Sequence, residues 1–382
     1  MTQVQDRIPV SVITGFLGAG KSTFLNRLLK DPGMKDCAVI INEFGEVGID
    51  HLLVERSGDA FIEMSNGCLC CTVRGELIDT LANLKDMEQT GRIRPLRRVV
   101  IETTGLADPA PVLQSVIGNP VIAQNFSVDG VVTLVDAVNG LASLDNHEEA
   151  RRQAAVADQI ILSKKSLADE ETVRELTLSL RSLNPHVRII DGESDASADW
   201  TLLANGLYDP ETKIADVGRW LADGDDHAGD DHVCDDHCGH DHHHDHHGHH
   251  HHDVSRHDAH IRSFSIIHDK PVPAAAIAMF IDLMRSAHAE RLLRMKAIVQ
   301  TVEDPDRPLI LHGVQSVFHP PERLPAWPDP DDRRTRLVLI THDLPEDFVR
   351  DLFGALTGIP AIGRADREAI ENNPLAIPGM RM

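Results

Sequence analysis

Three cysteines within four residues are the feature of this sequence whose chemistry is easiest to name. Cys68, Cys70 and Cys71 are separated only by Leu69. Adjacent cysteines bridge each other only with strain, and three thiols leave one unpaired, so internal disulfides explain the group poorly. Thiolates bind Zn²⁺, Cu(I) and related ions, and a helix predicted to begin near residue 72 would favour the thiolate form. We therefore interpret the three cysteines as metal ligands; the alternative is a set of buried structural cysteines.

A second pattern predicts phosphate binding. Residues 15–22 read Gly-Phe-Leu-Gly-Ala-Gly-Lys-Ser, after a predicted strand at 8–14 and before a predicted helix. In such a loop the backbone N–H groups surround phosphate oxygens, Lys21 reaches the terminal phosphates, and Ser22 binds Mg²⁺. The predicted nucleotide contacts in this loop are Gly15, Gly18, Ala19, Gly20, Lys21, Ser22 and Thr23.

The carboxylate expected opposite this loop is Glu102. It follows the predicted strand 99–101 and precedes Thr103, Thr104 and Gly105. A carboxylate at the end of a parallel strand beside a phosphate loop usually holds Mg²⁺ through water, so we predict Lys21 and Glu102 as the catalytic residues. Gly105 occupies the place of a glycine whose N–H meets the γ-phosphate.

Two further positions carry predictions. Leu106 stands where a glutamine would orient the attacking water, so unaided hydrolysis should be slow. Glu43, in the acidic segment 42–50 that follows a predicted strand at 37–41, is a candidate metal ligand; the alternative is a solvated acidic loop. In switch GTPases the equivalent segment senses the terminal phosphate.

The predicted base-binding segment is unusual. Ser163 and Lys164 follow the predicted strand 158–162, where GTPases normally carry Asn/Thr-Lys-x-Asp, and we predict that both contact the nucleotide. The aspartate position is occupied by Ser166. Charge-assisted hydrogen bonds contribute about 1.5–3 kcal/mol each, so the loss of this acceptor should weaken the selection of guanine.

The elements that position these residues indicate an α/β protein. Strands alternate with helices over residues 1–222, which predicts a P-loop domain with a doubly wound, mostly parallel sheet. Residues 261–382 predict a smaller α+β domain, in which His312, His319 and His342 are interpreted as structural histidines. A length of 382 residues agrees with two cores.

Charge and hydropathy exclude several classes of partner. The net charge of −23 argues against nucleic acid and anionic membrane surfaces. No apolar run approaches the length that spans a bilayer, and the first ten residues do not resemble a secretory leader, so we expect a soluble cytoplasmic protein.

Residues 223–260 form a low-complexity histidine- and aspartate-rich tract. They contain fifteen of the 23 histidines. Such a composition cannot bury a core, and we expect the tract to be disordered without metal. Neutral imidazoles bind Zn²⁺, Co²⁺ and Ni²⁺, so the tract is interpreted as a metal collector; the alternative is a plain solvated linker.

The phosphate loop, the Asn-Glu-Phe-Gly segment at 42–45, the Cys-x-Cys-Cys motif and Glu-Thr-Thr-Gly at 102–105 together resemble the CobW family. Those proteins are P-loop GTPase metallochaperones related to UreG and HypB. The resemblance implies GTP and Mg²⁺ as cofactors, Zn²⁺ or Co²⁺ as cargo, and a client protein that requires the metal. It leaves the oligomeric state open, with a nucleotide-dependent homodimer as one alternative.

The order of the motifs suggests a hypothesis for control. GTP with Mg²⁺ would order residues 43–50 and complete the thiolate site, and hydrolysis would release the metal. Two other functions are compatible with parts of the sequence: a metal buffer with incidental NTPase activity, and a P-loop phosphotransferase.

Overall fold

The structure is a computed structural model that describes residues 7–41, 61–63, 73–185, 187–205 and 260–358. Within these ranges no helix has the length and apolar character needed to span a membrane.

Seven parallel strands form the first sheet, in the order β3-β2-β4-β1-β5-β6-β7. All residues of β2 and β4 are buried, as expected for central strands covered on both faces. The strands are β1 Ile8–Gly15, β2 Cys37–Ile41, β3 Phe61–Glu63, β4 Arg98–Glu102, β5 Phe126–Asp136, β6 Gln159–Ser163 and β7 Arg188–Asp191.

Helices cover both faces of this sheet, which confirms the predicted doubly wound α/β fold. Leu25 and Leu28 of one helix pack on the face that carries Val39, whereas Leu77 and Leu81 of another pack on the opposite face. The helices of this region are α1 Lys21–Leu28, α2 Val73–Gln89, α3 Ala110–Gly118, α4 Pro120–Asn125, α5 Gly140–Asn146, α6 Glu148–Ala155 and α7 Glu170–Leu183.

Three of these helices, α3, α4 and α5, were not predicted from the sequence. In α3 the residues 110, 112 and 113–117 are all buried, so no alternation of polar and apolar faces marks it as a helix. The helix α4 has six residues and α5 has seven, which is short for a periodic signal.

Cys37 is a buried cysteine of the parallel sheet. It is 8% exposed and lies in β2. Burial raises the pKa of its thiol to about 11, so it remains protonated and unreactive at neutral pH.

An antiparallel sheet with two helices forms the second unit. Its strands are ordered β11-β10-β9-β13-β8, with β12 paired to β10. The elements are β8 Ile261–His268, α8 Ala274–Ala287, β9 Leu292–Val299, β10 Leu309–Val314, β11 Val317–Phe318, β12 Glu322–Arg323, β13 Thr335–His342 and α9 Glu346–Thr357. Between β10 and β11 the chain turns at Gln315, whose φ is +53°, and β11 pairs back on β10.

A buried ion cluster joins the two sheets. The carboxylate of Asp158, just before β6, accepts hydrogen bonds from Arg294 Nη2 at 2.8 Å and Lys296 Nζ at 2.5 Å on β9. It also accepts from the Val131 N–H at 2.8 Å. Burial alone would raise the pKa of Asp158, but the two cations lower it overall. Four residues of the second unit also belong to the core of the parallel sheet: Ile261, Leu293, Val314 and Ile340.

Candidate functional site

The phosphate loop lies at the carboxyl edge of the parallel sheet, between the end of β1 and the start of α1. Because β4 is the parallel neighbour of β1, Glu102 lies opposite Ile13 in the register, next to the loop. Ser22 Oγ donates to Glu102 Oε1 at 3.2 Å, so the two predicted Mg²⁺ ligands are in contact. Lys21 Nζ donates to the carbonyl of Gly15 at 3.0 Å.

The other predicted residues of the loop belong to the same turn. Ala19 N–H donates to the Phe16 carbonyl at 3.1 Å, and Ala19 is 1% exposed. Gly18 and Gly20 have positive φ values of 74° and 88°, and Gly20 precedes the first residue of α1. Thr23 lies in the first turn of that helix. The predicted strand, loop and helix are therefore all present.

Gly105 contacts the backbone of the phosphate loop. A Cβ atom at this position would lie 2.7 Å from the backbone nitrogen of Leu17, which is too close for any residue except glycine. Gln153 Nε2 fixes the same segment by donating to the carbonyls of Gly105, at 3.2 Å, and Ala107, at 2.8 Å. The chain after Glu102 thus lies directly against the loop, as expected of a segment that responds to the terminal phosphate.

Ser163 and Lys164 lie at the same edge. Ser163 Oγ donates to the Ala19 carbonyl at 2.7 Å, which attaches the end of β6 to the phosphate loop. Lys164 has a left-handed φ of 56°, and its Nζ donates to Asp136 Oδ2 at 2.7 Å. Burial would raise the pKa of Asp136, but hydrogen bonds from Lys164 and Asn139 lower it overall. Asp136 is therefore a charged partner that holds Lys164.

The carboxylate of Glu193, which no sequence pattern marked, is hydrogen-bonded to Ser166. Glu193 Oε2 accepts from the Ser166 N–H at 2.9 Å, and Glu193 Oε1 accepts from Ser166 Oγ at 2.8 Å. Both residues are exposed. The available signal was positional: Glu193 follows β7, and segments after parallel strands meet at one edge of the sheet.

The predicted metal ligands Cys68, Cys70, Cys71 and Glu43 lie outside the described residues, as does the tract up to residue 259. The strand before the cysteines is described. β3 ends at Glu63, which pairs with Ile41 of β2, and Ile41 pairs with Glu102 of β4. The strand that leads to the thiol motif therefore ends level with the predicted Mg²⁺ carboxylate.

Among the described side chains, one group has the spacing of metal ligands. His260, His342 and Asp343 each offer a donor atom, and these atoms lie within 4.8 Å of one another. The group lies in the second unit, at the end of β13, and no sequence motif marked it.

Two family models match this chain. The model described as CobW/HypB/UreG, nucleotide-binding domain matches residues 9–191, and the model described as cobalamin synthesis protein cobW C-terminal domain matches residues 261–357.

Relatives of known name are similar over nearly the whole length. "Zinc chaperone YjiA" of Escherichia coli is 30% identical over 352 residues, which cover 91% of this chain and 98% of the relative. "Zinc chaperone CobW" of a Sinorhizobium species is 32% identical over 391 residues, covering 92% and 98%. The crystal structure of the Zn(II)-bound YjiA GTPase from E. coli superimposes with a TM-score of 0.61 at 28% identity, covering 92% of this chain and 99% of that one.

Proposed function

Because the chain belongs to the CobW/HypB/UreG family, we propose that it is a GTP-hydrolysing metallochaperone whose cargo site is formed by Cys68, Cys70 and Cys71. The cargo is Zn²⁺ or Co²⁺, and the recipient is a client protein that requires the metal. The observation that carries the proposal is the register of β3, which ends level with Glu102 and leads to the three cysteines. The names of the zinc chaperone relatives support Zn²⁺.

The same arrangement supports control of the metal by the nucleotide. The segment between β2 and α2 contains both the acidic residues 43–50 and the thiols. β2 and β4 are neighbours in the sheet, so a change at the Mg²⁺ carboxylate occurs beside β2, the strand from which this segment begins. In the proposed cycle GTP with Mg²⁺, held by Ser22 and Glu102, completes the thiolate site, and hydrolysis loosens it.

Hydrolysis without a partner is proposed to be slow. Leu106, at the place of a water-orienting glutamine, has no polar group and is 53% exposed. The nearby Gln153 is 1% exposed, and its amide nitrogen donates to the Gly105 and Ala107 carbonyls. Its amide group therefore supports the segment rather than an attacking water. A slow step suits a switch that must stay loaded until it meets its client.

Guanine selection is proposed to rest on Glu193. The two hydrogen bonds from Ser166 fix the orientation of this carboxylate at the end of β6. A carboxylate has about four acceptor sites, so both oxygens retain a lone pair for a ligand. The N1–H and N2–H₂ groups of guanine are adjacent donors that match two carboxylate oxygens. Glu193 would thus supply the acceptor that Ser166 lacks.

The chain division proposed with this function is a GTPase domain at 1–222, a metal-collecting linker at 223–260 and a C-terminal domain at 261–382. The competing function is a metal buffer in which the linker holds the ions and NTP turnover is incidental. Two variants of the full chain separate these functions: Cys68→Ser/Cys70→Ser/Cys71→Ser, and replacement of residues 223–259 by a Gly/Ser segment of equal length.

We expect the triple serine variant to lose the tightest Zn²⁺ equivalent, measured by competition with a chromophoric chelator in the presence of a non-hydrolysable GTP analogue. Thiolates are stronger ligands for Zn²⁺ than hydroxyls, so the loss should be at least about 100-fold in affinity. The Gly/Ser variant should keep this equivalent and lose only weaker ones. The opposite pattern, in which the tightest equivalent disappears with the tract, would favour the buffer.

A further inference from the structure

One end of the antiparallel sheet brings two histidines and an aspartate together. β8 and β13 are antiparallel neighbours, and His342 at the end of β13 lies opposite Ile261 at the start of β8. His260, one residue before β8, and Asp343, one residue after β13, therefore lie side by side. The fold alone creates this group, because His260 and His342 are 82 positions apart in the sequence.

Backbone hydrogen bonds hold the three residues. The Asp343 N–H donates to the His260 carbonyl at 2.6 Å, and the His342 N–H donates to the Arg291 carbonyl at 2.7 Å. The first bond extends the pairing of β8 with β13 by one residue, and the second joins the end of β13 to the residue before β9. The φ of Asp343 is +51°, a left-handed value that aspartate and asparagine adopt more readily than most residues.

The side chains are already close enough for a small adjustment to complete a site. His260 Nδ1 lies 2.5 Å from Asp343 Oδ1, and His342 Nδ1 lies 3.8 Å from Asp343 Oδ2. Ligands of a tetrahedral ion with bonds of about 2.0–2.1 Å are about 3.3–3.4 Å apart. Rotations that move donor atoms by less than about 1 Å reach this spacing. The side chains of His260 and Asp343 are 69% and 48% exposed, and that of His342 is 24% exposed.

The charge around the group suits a cation. The hydrogen bond with His260 lowers the pKa of the Asp343 carboxyl, which is thus ionised at neutral pH. A second carboxylate, Glu148 of α6, places Oε1 4.0 Å from His342 Nε2. Glu148 also pairs with Arg152, whose other partner is Asp108, and Arg291 adds positive charge near Asp343. Two carboxylates therefore face the imidazoles, each partly offset by an arginine.

We propose that His260, His342 and Asp343 bind a divalent transition-metal ion of the Zn²⁺ type at the end of the second sheet. Two imidazoles and a carboxylate are donors that Zn²⁺ and Co²⁺ accept, and three protein ligands leave at least one coordination position open. An open coordination position, with His260 and Asp343 exposed to solvent, permits exchange, so the ion would be transferable. The interpretation of His342 as a structural histidine is replaced by this proposal.

The position of the group gives the proposed site a role in transfer. His260 is the last of the fifteen histidines in residues 223–260. Glu148, beside His342, begins the helix whose Arg152 and Gln153 contact the segment after Glu102. The site would thus lie at the boundary between the second sheet and the nucleotide-binding domain, where ions collected by imidazoles can be passed on.

The experiment measures acylation of His342 by diethyl pyrocarbonate in the full chain, read by peptide mass spectrometry, with and without Zn²⁺ and without nucleotide. A metal-bound imidazole has no free lone pair and does not react. At about ten times the Kd, nine-tenths of the sites are filled, so we expect the rate at His342 to fall about tenfold. His288 on the same protein, outside the group, serves as the internal control and should keep its rate.

The variant Asp343→Asn removes the charge and keeps a residue that tolerates the left-handed φ. We expect it to lose the protection of His342 at the same Zn²⁺ concentration. The matched control Asp282→Asn changes an exposed aspartate on α8 that pairs with Arg285, and it should keep the protection.

Unchanged His342 reactivity at saturating Zn²⁺, or equal protection in Asp343→Asn, would overturn the proposal. Because the thiol motif and GTP are not needed, the triple serine variant should still show protection, which separates this result from the proposed function.

Discussion

Glu193→Gln is expected to lower the affinity for GTP by about 100-fold. The carboxylate would accept hydrogen bonds from two donors of guanine, and hydrogen bonds to a charged group contribute about 1.5–3 kcal/mol each, of which the neutral amide retains part. The glutamine offers one acceptor and one donor. That pair matches xanthine, which carries a carbonyl where guanine carries an amine, so affinity for XTP should rise in the same variant.

Competition binding of GTP, XTP and ATP against a fluorescent nucleotide measures both changes. The matched control is Glu171→Gln, the same chemical change at an exposed glutamate of α7 that pairs with Arg174. The control should bind all three nucleotides as the unaltered chain does. If Glu193→Gln retains the original ratio of GTP to XTP affinity, Glu193 does not read the base.

Asp158→Ala is expected to lower the free energy of unfolding by about 3–5 kcal/mol, the range found when one member of a buried ion pair is removed. The substitution leaves Arg294 and Lys296 without their carboxylate, and these side chains are 5% and 9% exposed. Burial already lowers the pKa of Lys296 to about 8 with Asp158 in place. The substitution Asp158→Ala also removes the carboxylate oxygen that accepts the hydrogen bond from the Val131 N–H.

Chemical denaturation, followed by a spectroscopic signal from each unit, measures the loss and shows whether the two sheets then unfold separately. Asp158→Asn removes the charge but keeps a hydrogen-bond acceptor, so its free energy of unfolding should fall by less than that of Asp158→Ala. Asp282→Ala, which removes an exposed partner of Arg285, should change stability by less than about 1 kcal/mol. A loss below about 1 kcal/mol in Asp158→Ala would show that the ion cluster does not stabilise the contact between the sheets.

The pH dependence of this effect follows from the direction of the Asp158 shift. Its folded pKa is below the ordinary value of 3.8, so the unfolded chain takes up the proton first as the pH falls. The stabilisation of the folded chain by the Asp158 carboxylate is therefore complete above about pH 5 and is lost as the pH falls below about 4. The difference between the unaltered chain and Asp158→Asn should narrow in that range.

Local sequence patterns were sufficient to predict much of the fold. The phosphate loop needs glycines, a lysine and a hydroxyl in consecutive positions, so its residues are readable from one short segment. The burial of Leu77, Leu81 and Leu84 agrees with their spacing in α2. The helix α3 was not predicted because it is buried on nearly all sides, and a helix without a polar face has no periodic signal.

Long-range contacts could not be read in this way. Glu193 lies 27 residues from Ser166, and Asp158 lies 136 residues from Arg294, so neither pairing has a spacing that a sequence pattern records. Both depend on which strands become neighbours. The same is true of His260 and His342, which are adjacent only because β8 pairs with β13.

The most direct test of nucleotide-controlled metal handling is a titration of a non-hydrolysable GTP analogue into the Mg²⁺-loaded full chain, with and without one equivalent of Zn²⁺. If the two sites are coupled, the metal must tighten nucleotide binding by the same factor by which the nucleotide tightens metal binding. We predict a factor of about 5–150, corresponding to about 1–3 kcal/mol, that disappears in Cys68→Ser/Cys70→Ser/Cys71→Ser. Identical nucleotide affinities with and without Zn²⁺ would contradict the account.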